Sequence, residues 1–455
     1  MKAIILLSHL LPQSLQQKRG CYKKVYNFYK SAQFWSKEKI ELWQLNRLKK
    51  IITYAYENIS GYRQLYEESG IHPNDITELK DIKYIPFVDK ALLRDNSSEF
   101  IPSQINKKKL YHLTTGGSTG IPFGFYVDKK NGSAEYGFMY NAWETIGWTL
   151  NDTGIILRGG FVGNENHFFE KAGFHRYNLS SYYLTERNYN NYKNFLLKLK
   201  PSFLHAYPSS ATELANFVIK FNDIGEITFK HIFLGSENLY DWQKDIIKSA
   251  FPSAKIMCWY GHTERAIWAP WCEQEEKYHI NPFYGFTEII GKNDQEVKQG
   301  EIGELVGTSF WMFGTPFIRY RTMDFAYKGK YGCEKCGRNF QLIDQIDGRL
   351  SEIIISKTGR RISMTAINMH DETFDEIEQF RFIQFEPGLI QLSIVPKQNF
   401  TPDHKIKIEK SIQNKLGNDF ELKINIVDKI PRSKSGKYSF LEQHLNIERS
   451  DRLIY

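Results

Sequence analysis

The sequence lacks any hydrophobic run long enough to cross a membrane, and it contains no internal repeat and no low-complexity segment. The N-terminus, MKAIILLSHLLPQSL, is apolar, but Ser8 and His9 interrupt it and no small-residue cleavage site follows. It therefore predicts neither a signal peptide nor a membrane anchor.

Cysteine is scarce, with five residues in 455. They are too few and too unevenly spaced for the disulfide framework of a secreted protein, so we predict a cytoplasmic location. The five are Cys21, Cys258, Cys272, Cys333 and Cys336.

The chain has no strong excess of one charge, since its formal net charge is +8 and its basic residues are scattered. A polyanionic nucleotide or coenzyme would complement this charge as well as nucleic acid would. Aromatic residues are not interleaved with Lys or Arg along a face, and no nucleic-acid motif is present. We therefore predict no nucleic-acid partner. A basic zinc protein that binds nucleic acid stays an alternative, which a gel shift at low salt would test.

The length suits a large domain plus a smaller one, or two to three domains. Apolar residues at helical spacing predict a helix over 39–58, and from about residue 110 short β-rich runs alternate with helical stretches. This alternation predicts an α/β fold. The β-rich runs are GIILRGG (154–160), SFLHAYP (202–208), HIFLGSE (231–237) and AKIMCWYG (254–261).

The last hundred residues predict a small α+β unit. FRFIQFEP, LIQLSIVP and FELKINIVDKI have the character of strands, and 404–416 has the spacing of an amphipathic helix. We place the boundary near Arg349–Glu352, which gives domains of 1–348 and 349–455.

Residues 114–122 read TTGGSTGIP, a run of glycines and hydroxyl residues. Such a run builds either an ordinary surface turn or a nest of backbone N–H groups that binds phosphate. It is not the standard P-loop, because no Gly-Lys-Ser/Thr ends it. If it binds phosphate, the lysine must come from elsewhere in the chain.

Two later stretches carry carboxylates. WYGHTE (259–264) offers Glu264, which is either an ordinary exposed acid or a hard oxygen ligand for Mg²⁺. RYRTMD (319–324) offers Asp324, which either accepts both hydroxyls of a ribose or pairs with Arg319 or Arg321 at the surface.

Two further stretches carry cations. DGR (347–349) is either a turn or a source of Arg349 as a bidentate partner for ribose or phosphate oxygens. PRSKSGK (431–437) presents Lys437 on a glycine-containing loop, where a lysine is ordinarily solvent-exposed.

In this order, the stretches resemble the motifs of the adenylate-forming (ANL) superfamily of CoA ligases, firefly luciferases and adenylation domains. TGGSTGIP is similar to its TSGSTGxP phosphate loop, YGHTE to YGxTE, RYRTMD to Y-x-T-G-D, DGR to the hinge GR and PRSKSGK to the terminal PRTxSGK. HIFLGSENL (231–239) resembles the adenine-contacting segment of phenylacetate–CoA ligases. ELWQLNRLKKIITYAYENISGYRQLY and IPFVDKALLRD resemble the opening of those ligases and of their CapK-type capsular-polysaccharide relatives. The resemblance covers about residues 40 to 440.

The resemblance implies a large N-terminal adenylation domain with parallel-rich sheets and helices, followed by a small mobile α+β lid. It implies ATP- and Mg²⁺-dependent activation of a carboxylic acid to an acyl-adenylate, then transfer to the thiol of coenzyme A or of an acyl-carrier protein. Two alternatives stay open: transfer to an amine such as an amino sugar in capsule synthesis, and a nucleotide-binding module without catalysis. The sequence does not choose the acid, and it allows a homodimer.

The resemblance also assigns roles to individual residues. Catalysis falls to Lys437, Glu264 and Thr263, with Glu264 as the magnesium ligand. The resemblance does not assign the acid pocket; from their positions in the sequence, Tyr136, Phe233 and Trp259 are candidates for its wall, with plain core packing as the alternative. Nucleotide binding falls to Thr115, Gly116, Gly117, Ser118, Thr119, Gly120, Ser236, Glu237, Asn238, Tyr260, Gly261, His262, Asp324 and Arg349.

Four positions depart from the superfamily pattern. Gly116 stands where a hydroxyl residue is usual, and Phe123 follows the loop where many relatives carry lysine. Met323 replaces the glycine before the ribose-binding aspartate, and Ser351 stands where a hinge Asp or Lys is common. The last two put the rotation of the lid in question more than adenylation itself.

Four of the chain's thiol and imidazole groups have the spacing of a metal site. GCEKCG (332–337) has C-x₂-C spacing, and Cys272 and His279 form a second pair. Together Cys272, His279, Cys333 and Cys336 predict a closed Cys₃His structural zinc site that joins the loops 272–279 and 333–336. A redox pair or idle buried cysteines are the alternatives.

Overall fold

The computed structural model describes residues 21–104, 107–115, 123–129, 131–159, 161, 163–237, 239, 241–291, 294–347, 353–363, 367, 376–430 and 441–445. Within these ranges no helix is both long enough and apolar enough to cross a membrane. The α-helices are α1 (Tyr22–Ala32), α2 (Lys37–Asn58), α3 (Ser60–Glu68), α4 (Lys90–Asp95), α5 (Ala134–Thr145), α6 (Tyr189–Leu199), α7 (Pro208–Lys220), α8 (Asp241–Ala250) and α9 (Pro402–Leu416).

Helix α2 confirms the helix predicted over 39–58. Ser36 caps its N-terminus by accepting a hydrogen bond from the backbone N–H of Lys39, so the helix begins two residues earlier than predicted. Its apolar face is buried in the main hydrophobic core, which supplies most of the stability of such a helix. The buried residues of α2 are Ile40, Leu48, Ile51, Ile52 and Ala55.

A seven-stranded sheet forms the centre of the large domain. Its spatial order is β4-β5-β3-β6-β7-β8-β9, and the strands β5, β3, β6, β7 and β8 run parallel. Four of them are the strands predicted from the β-rich runs. Before this sheet, β1 (Leu110–Thr115) and β2 (Phe123–Asp128) pair as an antiparallel hairpin. The strands of the sheet are β3 (Gly154–Leu157), β4 (Phe169–Gly173), β5 (Arg176–Leu179), β6 (Phe203–Ala206), β7 (His231–Gly235), β8 (Lys255–Gly261) and β9 (Trp268–Pro270).

A five-stranded antiparallel sheet packs beside it, in the order β10-β14-β13-β12-β11. Strand β13 begins within the RYRTMD stretch, at Tyr320. Asp324 therefore lies inside a strand, and the prediction that it follows a strand is wrong. The strands are β10 (Tyr278–His279), β11 (Gly285–Ile290), β12 (Ile302–Ser309), β13 (Tyr320–Tyr331) and β14 (Gln341–Asp347).

The C-terminal unit is α+β, as predicted. Helix α9 packs on a four-stranded sheet of order β19-β18-β17-β20, and a two-stranded hairpin precedes them. The predicted boundary near residues 349–352 lies outside the described residues and stays a prediction. The strands are β15 (Ile353–Ile355), β16 (Arg361–Ser363), β17 (Ile377–Glu386), β18 (Leu389–Pro396), β19 (Glu421–Ile426) and β20 (Leu441–Gln443).

The C-terminal unit contacts the large domain at α7. Arg360, in the turn between β15 and β16, donates to Asp419 at 2.6 Å and lies 3.9 Å from the carboxylate of Glu213 on α7. Burial raises the pKa of Glu213 to about 8, although the charge of Arg360 opposes the shift. Tyr207, just before α7, belongs to the hydrophobic cluster of the C-terminal unit. The contact is therefore both apolar and ionic.

Candidate active site

Tyr260 and Asp324 connect the two large sheets at the predicted ribose site. Tyr260 lies near the carboxyl end of β8, and its hydroxyl donates to Oδ2 of Asp324 at 2.8 Å. Arg319 pairs instead with Glu288, and Arg321 with Glu304. The two arginines near Asp324 thus have other carboxylate partners, which leaves Asp324 facing the carboxyl end of a parallel strand, where ligands bind in such sheets.

Glu264 is buried and accepts hydrogen bonds on both oxygens. The hydroxyl of Tyr320 donates to Oε1 at 2.9 Å, and Nδ1 of His262 lies 3.1 Å from Oε2. The backbone N–H of Ile267 donates to Nε2 of His262, so the proton of the neutral ring is on Nδ1 and points at Glu264. Burial disfavours the carboxylate, but the hydrogen bond from His262 and the charge of Lys90 favour it and hold the pKa of Glu264 below its usual range. The exposed-acid alternative is therefore wrong for this residue.

Lys90 is a cation at this site that the motif comparison missed. It is the first residue of α4, and burial lowers its pKa to about 8 although the charge of Glu264 opposes the shift. It lies in IPFVDKALLRD, a stretch that contributed only to the resemblance. The sequence could have indicated Lys90, because it is a lysine in a stretch that resembles the related ligases.

The predicted adenine segment follows β7. Ser236 has a positive φ of 69°, and the carboxylate of Glu237 accepts from the backbone N–H and the hydroxyl of Ser209 at 3.0 and 3.1 Å. Glu237 therefore fixes the end of β7 to the first turn of α7. Gly235 cannot be replaced here without rearrangement, because a Cβ would lie 2.4 Å from the indole of Trp259.

Three more predicted site residues lie within the described ranges. Gly261 ends β8 next to Tyr260, Thr263 is partly exposed next to Glu264, and Thr115 is the last residue of β1. The others lie outside the described residues, and their roles stay predictions: Gly116, Gly117, Ser118, Thr119, Gly120, Asn238, Arg349 and Lys437.

The three candidates for the acid pocket differ in accessibility. Tyr136 on α5 is 49% exposed, Trp259 is nearly buried, and Phe233 is fully buried. The ring of Phe233 stacks on Trp143 at a centroid distance of 3.9 Å. Phe233 therefore packs in the core, while Tyr136 is accessible to a ligand.

The predicted zinc ligands come together. The candidate ligand atoms of Cys272, His279, Cys333 and Cys336 all lie within 4.8 Å of one another. The sulfurs of Cys272 and Cys333 are 3.8 Å apart, and the sulfur of Cys336 is 3.7 Å from Nε2 of His279. The loops 272–279 and 333–336 are thus adjacent, as predicted.

Comparison with known proteins finds similar sequences along most of this chain. Residues 354–444 match the CapK C-terminal domain family. The chain is 24% identical over 450 residues to phenylacetate-coenzyme A ligase of Thermus thermophilus, covering 88% of this chain and 96% of that one. It is 24% identical over 410 residues to Protein CapK of Staphylococcus aureus, covering 87% and 88%. The resemblance to the phenylacetate–CoA ligase and CapK branch of the adenylate-forming superfamily is confirmed.

Solved structures of an adenylate-forming enzyme share the fold. 2-Hydroxyisobutyryl-CoA ligase in a postadenylation state matches with a TM-score of 0.59 at 18% identity, over 92% of both chains. The same ligase with an acyl-AMP and coenzyme A in the thioesterification state matches with a TM-score of 0.61 at 19% identity, over 90% of this chain and 91% of that one. The predicted α/β fold with a C-terminal α+β unit is therefore confirmed.

Met323 replaces a residue that is usually glycine in the adenylate-forming superfamily, and the backbone explains that glycine. Met323 has a φ of 63°, and its N–H donates to Glu304 at 3.1 Å. A non-glycine residue in this left-handed region costs about 1–2 kcal/mol. Ser236, Arg265 and Arg319 also have positive φ, so the backbone near the site holds several strained residues.

We expect Met323→Gly to keep or slightly raise the melting temperature and Met323→Val to lower it. Glycine adopts the observed φ without strain, whereas a β-branched residue there is a steric outlier. The methionine side chain is 42% exposed, so either change removes little packing. Thermal unfolding of the three proteins measures the order, and a valine variant as stable as the glycine variant would contradict the strain argument.

Proposed function

We propose that the protein uses ATP to activate a carboxylic acid as an acyl-adenylate and then transfers the acyl group to a thiol, that of coenzyme A or of an acyl-carrier protein. The observation that carries this proposal is the pair of carboxylates at one end of the fold of a CoA ligase. Asp324, hydrogen-bonded to Tyr260, accepts the ribose hydroxyls, and ionised Glu264 lies on the same strand-end as Tyr260.

Adenylation requires one anion to attack another. An oxygen of the substrate carboxylate forms a bond to the α-phosphorus of ATP, and the bond from that phosphorus to the bridging oxygen breaks, so pyrophosphate leaves with the electron pair. The backbone N–H groups of TGGSTGIP and the ammonium group of Lys437 neutralise charge on the transferring phosphoryl group. Binding of ribose by Asp324 holds the reactants in line.

The second half-reaction consumes the adenylate. The thiol sulfur attacks the acyl carbonyl carbon, the carbon–oxygen bond to AMP breaks, and AMP leaves as the thiol proton is lost to solvent. In the related enzymes the C-terminal domain rotates between the two half-reactions, which lets one site serve both. The resemblance assigns Arg349 and Ser351 to the hinge of that rotation and Lys437 to the domain that rotates.

Purified protein tests the proposal directly. With ATP, Mg²⁺ and a panel of carboxylic acids we expect acid-dependent ATP–pyrophosphate exchange, and with coenzyme A added we expect AMP and a thioester. ATP binding without exchange on any acid would instead indicate a nucleotide-binding module without catalysis.

A second candidate acceptor is an amine, such as an amino sugar in surface-polysaccharide synthesis. The matches to CapK and to the CapK C-terminal domain favour it over other acceptors. AMP release that depends on an amino sugar and not on coenzyme A would establish this alternative. A homodimer, a carrier-protein acceptor and a cytoplasmic location stay predictions.

Glu264 fits a magnesium ligand, because it is an ionised hard oxygen donor at the phosphate end of the site. Magnesium bound there would neutralise charge on the phosphates of ATP. Tyr320 and His262 each donate to one oxygen of the Glu264 carboxylate and so orient it. Each of these oxygens keeps a second lone pair that can bind the ion.

The Cys₃His cluster fits zinc. A tetrahedral ion with Zn–S bonds of about 2.3 Å and Zn–N bonds of about 2.0–2.1 Å puts sulfurs about 3.8 Å apart and sulfur and nitrogen about 3.6 Å apart. The observed separations are 3.8 and 3.7 Å. Four protein ligands leave no open position, so the ion would join the two loops and take no part in catalysis.

We expect about one zinc per chain by elemental analysis, and Cys336→Ser should lose it and lower the melting temperature by several degrees. Cys21→Ser is the matched control, since that thiol lies beside Ser133, away from the cluster. Stoichiometric zinc in the Cys336 variant, or metal-free wild-type protein after expression with zinc, would contradict the site.

A further inference from the structure

An arginine whose partners are all neutral lies at the carboxyl edge of the central sheet. Arg158 directly follows β3, and its Nη1 donates to Nε2 of His205 on the neighbouring strand β6 at 3.2 Å. Its Nη2 donates to the hydroxyl of Ser236 after β7. Among the residues that the structure describes, no acidic side chain pairs with Arg158, and three of its five N–H donors have no partner.

A nearby arginine shows what a structural role looks like in this sheet. Arg176 on β5 is buried and donates to the backbone carbonyls of Asp152, His175 and Leu150. Arg158, by contrast, is only half-buried. The carboxylate of Glu237, next to its partner Ser236, accepts a hydrogen bond from Ser209 instead. Arg158 therefore has the donors and the access to bind a ligand.

The groups around Arg158 do not compensate its charge. Its guanidinium lies 4.7 Å from the ring centre of Tyr207, and the ring of His205 lies 5.2 and 5.5 Å from those of Trp143 and Trp259. Burial and the charges of nearby arginines hold the pKa of His205 well below its usual range, so this ring is a neutral acceptor. A cation among aromatic and neutral groups attracts an anion.

Arg158 contacts the predicted adenine segment on the side away from the predicted ribose site. Strands β3 and β6 lie on one side of β7, and β8, which carries Tyr260 with its bond to Asp324, lies on the other. Arg158 therefore reaches Ser236 from the side away from the predicted ribose and phosphates. Burial raises the pKa of the half-exposed Tyr136, and the charge of Arg158 is one of the contributions that oppose the rise.

We propose that Arg158 is the specificity residue of the acid pocket and that the preferred acid carries a second carboxylate, which the guanidinium binds. The inference rests on the proposed function and names the substrate class of its site. The second carboxylate would accept two parallel N–H bonds from the guanidinium fork. A monocarboxylic acid would shield the guanidinium of Arg158 from water without pairing its charge. A bound ligand that leaves a polar group of the site unpaired is strongly disfavoured, so the site would discriminate against monocarboxylic acids.

Matched acids test the proposal. We expect ATP–pyrophosphate exchange with adipate and 4-carboxyphenylacetate to exceed exchange with hexanoate and phenylacetate by about 10- to 100-fold in kcat/KM, the discrimination of a charge-assisted pair. Arg158→Met should reduce this ratio by a similar factor, mainly through KM for the dicarboxylate. Arg158→Lys keeps the charge without the fork and should reduce it by several-fold. Arg187→Met is the control, since Arg187 is exposed and its pairing with Glu165 at 3.9 Å is weak.

Three results would overturn the proposal: equal exchange with both members of each pair, a ratio unchanged by Arg158→Met, or an equal loss with both members, which would assign Arg158 to the nucleotide. A binding measurement separates this from failure of the proposed function. Isothermal titration calorimetry should show that adipate binds the wild-type protein more tightly than it binds the Arg158→Met variant. If no acid supports exchange, that difference in affinity still supports the inference, and its absence overturns it.

Discussion

Lys437→Ala is expected to lower ATP–pyrophosphate exchange by about 10²- to 10³-fold, the cost of removing one group that stabilises transition-state charge. Lys437 ends PRSKSGK, which resembles the terminal PRTxSGK of the superfamily, and TGGSTGIP carries no lysine of its own. We therefore expect a cation from the C-terminal domain to complete the phosphate site during adenylation. Because its contribution arises in the transition state, kcat should fall far more than the KM for ATP rises.

The neighbouring Lys434 supplies the control for this loss. Lys434→Ala removes the same charge three residues earlier in the same stretch and should leave exchange within a few-fold of wild type. Thioester formation from a supplied acyl-adenylate should survive in the Lys437 variant, because that half-reaction does not transfer a phosphoryl group. Unchanged pyrophosphate exchange in Lys437→Ala would remove this lysine from the mechanism.

Glu264→Gln is the second substitution with a large expected effect, a loss of about 10²-fold or more in exchange with a higher magnesium requirement. Glutamine keeps the size of the side chain and an acceptor oxygen for Tyr320, but it removes the charge that Lys90 and His262 surround. The loss of activity in Glu264→Gln therefore reports the effect of the charge and not of the side-chain shape.

A magnesium titration of exchange, with thermal unfolding to check the fold, distinguishes the causes. Glu334→Gln is the control, since Glu334 is an exposed partner of Lys330. If Glu264→Gln retains both the rate and the magnesium dependence of the wild type, Glu264 does not hold the ion.

The elements that sequence predicted are those with strong local signals. The runs around β3, β6, β7 and β8 are short, apolar and bounded by turn residues, and α2 and α9 have clear helical spacing. The Cys₃His cluster was predictable because the C-x₂-C pair and the Cys272–His279 pair are each local in sequence, so only the proximity of the two pairs depended on the fold.

The contacts that sequence could not predict join distant positions without a motif. Lys90 acts on Glu264 from 174 positions earlier, and Arg158 reaches His205 and Ser236 across two strands. No periodicity specifies such pairs, because the order of strands in the sheet decides them. For the same reason Phe233, a candidate for the pocket wall by its place near the motif, proved to point into the core.

Tyr207 contacts both Arg158 and the C-terminal unit. Its ring lies under the guanidinium of Arg158, and it also belongs to the apolar cluster of the C-terminal unit. Moving that unit away from α7 would strip one side of the ring and loosen the arginine above it. If Arg158 binds the acid as we propose, acid affinity and the position of the C-terminal unit would be thermodynamically linked. The factor by which a bound acid favours closure would equal the factor by which closure raises the affinity for the acid.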